Sequence, residues 1–196
     1  GQEDFYRLSK LDGLVDSIDL STGVGNDLVE ITLADNPDGG NTSVRVISGD
    51  GDDFVSILAG SDTRSVSNLI LDGGAGDDRL KVTATFDANI VMQGGDGNDT
   101  LMLDGEDQGY ARFAAFGGKG NDDIMGGDSV DFVYGDDSLN LGQADALIAA
   151  MSAANADGAS LVGVINQTDL LGGMDTIVTY GGDDYIDGGD ETVALV

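Results

Sequence analysis

The stretch GGAGDDRLK, residues 73–81, places three glycines in four positions, follows them with two aspartates, and returns to alternating apolar residues. Four other segments share its plan of Gly in the second and fourth places, Asn or Asp in the fifth, Asp in the sixth and an aliphatic residue in the eighth. They are TGVGNDLVE (22–30), SGDGDDFVS (48–56), GGDGNDTLM (94–102) and GGKGNDDIM (117–125). Agreement at so many fixed positions indicates a repeat protein, in which each repeat stacks on the next.

Apolar residues alternate with other residues on both sides of each motif. Before the motifs stand Ile18/Leu20, Val44/Val46, Leu69/Leu71, Ile90/Met92 and Phe113/Ala115, and after them Val29/Ile31/Leu33, Val55/Ile57, Leu80/Val82/Ala84 and Leu101/Leu103. This period of two predicts a strand that enters each turn and another that leaves it. The fourth-place glycines recur every 21–26 residues. We therefore predict an all-β fold, a right-handed parallel β-helix or β-roll solenoid whose glycine turns stack along one edge.

The repeat changes rhythm in the later part of the chain. GGDSVDFVY (126–134) follows the fifth motif without a spacer, and LLGGMDTIV (170–178) and TYGGDDYID (179–187) also lie end to end. Each keeps Asp in the sixth place and an aliphatic residue in the eighth, which predicts tandem nonapeptide coils. GGDETVALV (188–196) begins a further copy that lacks the sixth-place Asp.

An Ala-rich segment, QADALIAAMSAANADG (143–158), interrupts these repeats and has Leu147, Ile148 and Met151 at helical spacing. It predicts a short α-helix that packs on the side of the solenoid or lies over its end. We therefore predict one continuous solenoid domain with a β-helical part (1–137), a helical insertion (138–168) and terminal nonapeptide coils (169–196).

Composition narrows the possible functions. The chain of 196 residues carries 37 Asp+Glu against 8 Lys+Arg, a net charge of −29. Nucleic acid is excluded as a partner because its phosphates need a basic surface. Cys and His are absent, which excludes disulfides, the usual zinc sites and catalytic triads or dyads built on these residues. The hydrophobic share of 40% is enough for a core, and we expect no transmembrane segment because no apolar run is long enough.

The glycines and aspartates of the turns suit a calcium ion. Calcium takes about 6–8 oxygen ligands from carboxylates and backbone carbonyls. Glycine adopts positive φ easily, which lets successive carbonyls point at one place, and the sixth-place Asp adds a carboxylate. One turn supplies half of the ligands, and the turn of the next coil, about 4.8 Å away, supplies the rest. The sequence therefore predicts a ladder of calcium ions, each of which joins two coils.

The candidate ligands are the sixth-place aspartates and the carbonyls of the turn glycines. The aspartates are Asp27, Asp53, Asp78, Asp99, Asp122, Asp131, Asp175 and Asp184, and the glycines are Gly23, Gly25, Gly49, Gly51, Gly74, Gly76, Gly95, Gly97, Gly118 and Gly120. Carbonyls of third- and fifth-place residues are expected to complete the shells, and fifth-place side chains to point outward or hold the turn. A metal-free alternative stays open, because Gly-Asp turns also form plain corners of β-helices.

The motifs resemble the nonapeptides of the RTX (repeats-in-toxin) or hemolysin-type calcium-binding family. GGDGNDTLM and GGAGDDRLK fit that nonapeptide residue by residue, whereas TGVGNDLVE and SGDGDDFVS depart from it at the first glycine. The resemblance covers residues 18–134 and 170–190. It implies secretion, usually by a type I machine of a Gram-negative bacterium, and calcium-driven folding outside the cell. The wide coil spacing is more similar to that of repeat regions of large bacterial surface proteins than to that of the compact rolls of toxins and proteases.

Two functions follow as expectations. The first is a non-enzymatic, calcium-binding structural or assembly module of an extracellular surface layer, filament, sheath or adhesin. Such a module should self-associate end to end or laterally, because the strand edges at the ends of a β-helix invite pairing. The alternative is the calcium-binding part of a secreted enzyme, such as a polysaccharide-active enzyme, a protease or a lipase.

Overall fold

The computed structural model describes residues 2–11, 17–33, 42–59, 67–84, 88–105, 112–128, 131–136, 138–152, 174–180, 184–188 and 194–195. Within these residues the chain forms fifteen short strands and a single helix. The strands are β1 (Phe5–Leu11), β2 (Ser17–Val24), β3 (Leu28–Leu33), β4 (Thr42–Asp50), β5 (Phe54–Ala59), β6 (Ser67–Ala75), β7 (Arg79–Ala84), β8 (Ala88–Asp96), β9 (Thr100–Asp104), β10 (Arg112–Lys119), β11 (Asp123–Met125), β12 (Asp131–Tyr134), β13 (Thr176–Val178), β14 (Tyr185–Asp187) and β15 (Ala194–Leu195). The helix, α1, spans Leu141–Ser152.

The strands form two parallel sheets. The odd-numbered strands pair side by side in an eight-stranded sheet A, and the even-numbered strands form a seven-stranded sheet B. Strand pairing is parallel throughout the described chain. Because the chain alternates between the two sheets, each coil adds one strand to each of them. This arrangement is a parallel β-solenoid, and the fold predicted from the repeat is confirmed.

Neighbouring coils are aligned so that equivalent positions of the motif stack. In sheet B, Gly23 pairs with Gly49, Gly49 with Gly74, Gly74 with Gly95, and Gly95 with Gly118. The same register continues into sheet A, where Leu80 lies between Val55 and Leu101. The glycine turns therefore form a row along the edge where the chain passes from sheet B to sheet A.

The alternating apolar residues line the interior between the two sheets. Ile31 and Leu80 of sheet A and Val46 and Leu71 of sheet B are among the buried residues of one continuous cluster. The opposite, outward positions carry charged side chains, some of which pair between coils, as Lys81 does with Asp104 at 2.8 Å. Burial of one face and solvation of the other fixes the register, because a slip by one residue would reverse the two faces.

Helix α1 packs on the outer face of sheet B. Leu147, Ile148 and Met151, which have helical spacing in the sequence, are buried there in a second cluster with Val91 and Phe116. This confirms the predicted helix, which begins two residues earlier than the Ala-rich segment. The remainder of that segment, 153–158, lies outside the described residues.

Reciprocal hydrogen bonds cap the helix at its N-terminus. Asn140 Oδ1 accepts from Gln143 N–H at 3.1 Å, and Gln143 Oε1 accepts from Asn140 N–H at 2.9 Å. This pair satisfies two of the backbone donors that a helix N-terminus leaves free. Arg45, on the outer face of β4, forms an ion pair with Asp145 of the helix. The capped helix is therefore tied to sheet B by polar as well as apolar contacts.

The helical segment is inserted inside a glycine turn. The turn begins after β12 with Gly135, whose carbonyl accepts from Gly118 N–H at 2.8 Å. It ends at Asp175, immediately before β13, where Thr176 N–H donates to Asp122 O at 2.7 Å. One turn of the row is thus assembled from two segments that are far apart in the sequence. The predicted boundary at 168/169 lies outside the described residues.

The stacked glycines allow a direct test of coil packing. Gly23 and Gly74 both hold the second place of a turn and have φ of +107° and +106°. A Cβ at Gly74 would collide with the carbonyl of Gly49, whereas a Cβ at Gly23 meets no described atom within 4 Å. Gly23→Ala should therefore lower the free energy of unfolding only through backbone strain, by about 1–3 kcal/mol. Gly74→Ala should lower the free energy of unfolding by about 1–3 kcal/mol more, because its methyl group overpacks the contact with the preceding coil. Equal losses in chemical denaturation of the two variants would contradict the close stacking.

Candidate metal centre

Six of the eight sixth-place aspartates form a continuous hydrogen-bonded row inside the turns. Each stands just before a strand of sheet A, and its backbone N–H donates to Oδ1 of the sixth-place Asp in the following coil. The bonds run from Asp27 to Asp53 (2.6 Å), Asp53 to Asp78 (2.8 Å), Asp78 to Asp99 (2.8 Å), Asp99 to Asp122 (2.8 Å) and Asp122 to Asp175 (2.9 Å). One carboxylate oxygen of each Asp therefore satisfies a buried backbone donor of its neighbour.

The other carboxylate oxygens of this row form what we call the Oδ2 row. Its members accept no hydrogen bond from any described residue, and their side chains belong to residues that are only 1–3% exposed. They are Oδ2 of Asp27, Asp53, Asp78, Asp99, Asp122 and Asp175. A buried polar atom without a partner is costly, and a buried carboxylate especially so. Successive coils therefore repeat the same buried carboxylate oxygen, for which the described residues supply no partner.

A second oxygen approaches the Oδ2 row at the first place of the turn. A Cβ built on Gly94 would collide with Asp99 Oδ2 and would lie 2.6 Å from the carbonyl oxygen of Gly117 in the next coil. Gly73 has the same relation to Asp78 Oδ2 and to the carbonyl of Gly94. The carboxylate and the carbonyl oxygen therefore lie on the same side of each glycine, in space that a side chain would otherwise fill.

Burial disturbs the ionisation of these aspartates. It raises their pKa values, the N–H donated by the preceding coil lowers them in part, and neighbouring carboxylates raise them again. The pKa reaches about 8 for Asp78, about 7 for Asp122 and about 6 for Asp99 and Asp175, and that of Asp53 is also raised. A positive ion beside the Oδ2 row would remove this penalty, because an opposite charge favours the ionised carboxylate.

The donor set consists of oxygens alone. In the described ranges no group of three or more Asp, Glu, His or Cys side chains could by itself hold a metal ion. A cation here would therefore be held by one or two carboxylates together with backbone carbonyls. Oxygen-only sites of this kind suit hard cations such as calcium and magnesium and do not suit metals that prefer thiolate or imidazole.

Two further predicted aspartates lie on the opposite edge, where the chain passes from sheet A to sheet B. Asp131 N–H donates to Asp184 Oδ1 at 3.1 Å, and Asp131 Oδ2 accepts from Gly127 N–H at 2.9 Å. Burial raises the pKa of Asp131 to about 8, and the Asp184 carboxylate adds to the shift. The nonapeptides 126–134 and 179–187 thus form a second, shorter hydrogen-bonded row.

The ten predicted second- and fourth-place glycines all have φ between +105° and +151°. Carbonyls at these places lie against the glycine of the next coil, as Gly49 O does at Gly74. The fifth-place side chains are exposed and hold the turn, because each accepts the N–H of the fifth residue in the following coil. Examples are Asn98 N–H to Asp77 Oδ1 at 2.8 Å and Met174 N–H to Asn121 Oδ1 at 2.7 Å.

Three residues of the site were missed by the repeat pattern. Asp4 extends the row by one coil, since its N–H donates to Asp27 Oδ1 at 2.7 Å and its carbonyl accepts from Leu28 N–H at 2.9 Å. Gly135 lies beside Asp175 Oδ2 as the first-place glycine of the split turn. Asp136 is buried next to it. After burial, which is the main cause, its charge contributes to the raised pKa of Asp175.

Comparison of the chain with protein-family models, with curated proteins and with solved structures gave no match. In the described part of the chain, no helix has the length and apolar character needed to cross a membrane. The geometry of the turns therefore carries the functional argument.

Proposed function

We propose that the row of buried aspartates binds a row of calcium ions that join successive coils. The observation that carries this proposal is the Oδ2 row, in which consecutive turns each direct a buried carboxylate oxygen into space beside a first-place residue. Its members would hold the ions together with backbone carbonyls of the turns. Calcium would supply positive charge to carboxylates that form no ion pair with a basic side chain among the described residues.

Calcium is favoured over other hard cations by the form of the site. Magnesium demands near-octahedral geometry and keeps several of its water ligands, whereas calcium accepts irregular shells rich in carbonyl oxygens. Turns that supply few carboxylates and many carbonyls match the calcium preference. The resemblance of the motifs to the RTX nonapeptide supports the same ion.

We further propose that the protein is a structural or assembly module of an extracellular bacterial surface protein, and not an enzyme. The fold is a regular solenoid of an acidic chain, and the proposed cation sites lie in the turns of successive coils. In a chain with a net charge of −29, Phe5 and Leu58 are nevertheless 56% and 44% exposed on the outer side of sheet A. Exposed apolar side chains on the outer side of a sheet suit contact with a second copy.

Sedimentation velocity with saturating calcium tests the assembly part of this proposal. We expect dimers or larger species that increase with protein concentration and dissociate when calcium is chelated. A calcium-bound chain that stays monomeric at high concentration would contradict assembly and favour the calcium-binding part of a secreted enzyme.

A further inference from the structure

The first place of the glycine turn differs between the early and the later coils. Thr22 and Ser48 hold it in the first two motifs, and Gly73 holds it in the third. The pairing of Ile47 with Asp72 and of Gly49 with Gly74 puts Ser48 in register with Gly73. Ser48 therefore carries a side chain at the position where Gly73 leaves room beside an Oδ2 atom.

The hydroxyl group of Ser48 is buried without a partner. The residue is 0% exposed, and Ser48 Oγ makes no hydrogen bond with any residue that the structure describes. A serine hydroxyl can donate one hydrogen bond and accept two, so its isolation in a buried place is unusual. Asp53 Oδ2, a member of the Oδ2 row, belongs to the same turn. A hydroxyl and a carboxylate oxygen thus lie in one buried turn without bonding to each other.

The preceding turn provides a contrast. Thr22 holds the same place one coil earlier, and its Oγ1 donates to the carbonyl oxygen of Ser48 at 2.7 Å. The Thr22 hydroxyl is therefore satisfied by the protein itself. The two hydroxyls hold equivalent places, but the one at Ser48 still needs a partner.

We propose that Ser48 Oγ is a ligand of the cation at the Asp53 turn. The inference rests on the proposed calcium row and adds a side-chain ligand that the glycine-led turns lack. A neutral hydroxyl oxygen with free lone pairs binds hard cations, as the Ser or Thr of phosphate-binding loops binds magnesium. The ion satisfies the hydroxyl and the Asp53 carboxylate together, which explains why they are left unbonded to each other.

Ser48→Ala and Thr22→Val separate this role from ordinary hydrogen bonding. Each variant of the full chain is compared with the wild type by chelator-competition titration with calcium and by thermal melting in calcium and in chelator. Ser48→Ala should weaken the binding of one calcium ion about tenfold. This change is equivalent to a loss of about 1.4 kcal/mol of stability in saturating calcium. In chelator the variant should lose no stability. Thr22→Val should lose the same stability in both conditions, because its hydrogen bond needs no ion.

Ser48→Gly gives the second motif the same first-place residue as the third motif, which has Gly73, so the variant should fold. It should show the same weakened binding of one calcium ion as Ser48→Ala. Equal losses for both Ser48 variants with and without calcium would assign the hydroxyl to a buried water and overturn its role as a ligand. That result would leave the calcium row intact if the wild type still binds calcium. A wild type that shows no calcium response in titration or melting would instead contradict the row itself, and the Ser48 assignment with it.

Discussion

Removal of calcium should lower the melting temperature of the protein by tens of degrees. The chain carries 37 acidic against 8 basic residues, and no cysteine is present to form a disulfide. Extracellular calcium modules bind with dissociation constants around 10⁻⁴–10⁻³ M, and calcium at about tenfold above such a constant stabilises by about 1.4 kcal/mol for each site. Five such sites, one for each of the five motifs in residues 22–125, would contribute on the order of 7 kcal/mol, which is comparable with the whole stability of an ordinary domain.

Circular dichroism and thermal melting in calcium, in chelator and in chelator with excess magnesium measure this effect. We expect the cooperative transition to persist in chelator at a melting temperature lower by tens of degrees, with the strand signal lost at correspondingly lower temperature, and we expect magnesium to restore little of the loss. Under the proposed function, the low free calcium of a bacterial cytosol would then keep the chain largely unfolded at growth temperature until export. An unchanged strand signal and melting temperature after full calcium removal would contradict the claim that calcium stabilises the fold.

Asp99→Asn should have opposite effects in the presence and absence of calcium. The Asn side chain retains an oxygen that can accept Asp78 N–H, which lies 2.8 Å from Asp99 Oδ1, but loses the charge. In saturating calcium the free energy of unfolding of the variant should fall by about 1.4 kcal/mol or more for each ion that this carboxylate binds. In chelator at pH 8 it should be more stable than the wild type, because it no longer buries an ionised carboxylate.

The pH dependence separates this effect from a general loss of charge. Burial raises the pKa of Asp99 to about 6 from 3.8, so the folded state holds this proton more tightly than the unfolded state. The resulting stability is fully present below about pH 4 and is lost as the pH rises through about 6. Asp99→Asn should therefore flatten the decline of calcium-free stability between about pH 4 and 6.

Asp77→Asn is the matched control for Asp99→Asn. Asp77 is exposed and holds the fifth place, where other repeats carry Asn, and an Asn oxygen can still accept Asn98 N–H, which lies 2.8 Å from Asp77 Oδ1. This variant removes one negative charge without removing a member of the Oδ2 row. Because burial raises the pKa of Asp99 and the Asp77 charge adds to the shift, we expect a gain in chelator that is smaller than that of Asp99→Asn and little change in calcium. If the two variants behaved alike with and without calcium, net charge would account for the data and the buried row would not.

The sequence predicts that the sixth-place aspartates of successive coils stack, because a solenoid repeats its geometry with its sequence. Once alternating apolar residues fix which side chains face the core, Asp27 and Asp78 fall at the same point of the coil. The exact partner of each carboxylate is not predictable in this way. It depends on how far the carbonyl of Gly94 approaches the Oδ2 atom of Asp78, a detail that spacing alone does not contain.

Two features escape the pattern for different reasons. Asp4 joins the row through backbone register alone, because Gln2 stands where the other coils have their fourth-place glycine. The turn that pairs Gly135 with Asp175 is split by the helical insertion, so no continuous nonapeptide connects its two halves. Only strand pairing between β10 and β12 and between β11 and β13 brings them together.

A crystal structure grown in millimolar calcium tests the central claim most directly. The account predicts a row of metal peaks along the edge from sheet B to sheet A, separated by about one inter-strand spacing of 4.8 Å. Each peak should lie within about 2.3–2.6 Å of a member of the Oδ2 row and of backbone carbonyl oxygens. Only water beside Asp53, Asp78, Asp99 and Asp122 under those conditions would contradict the calcium row.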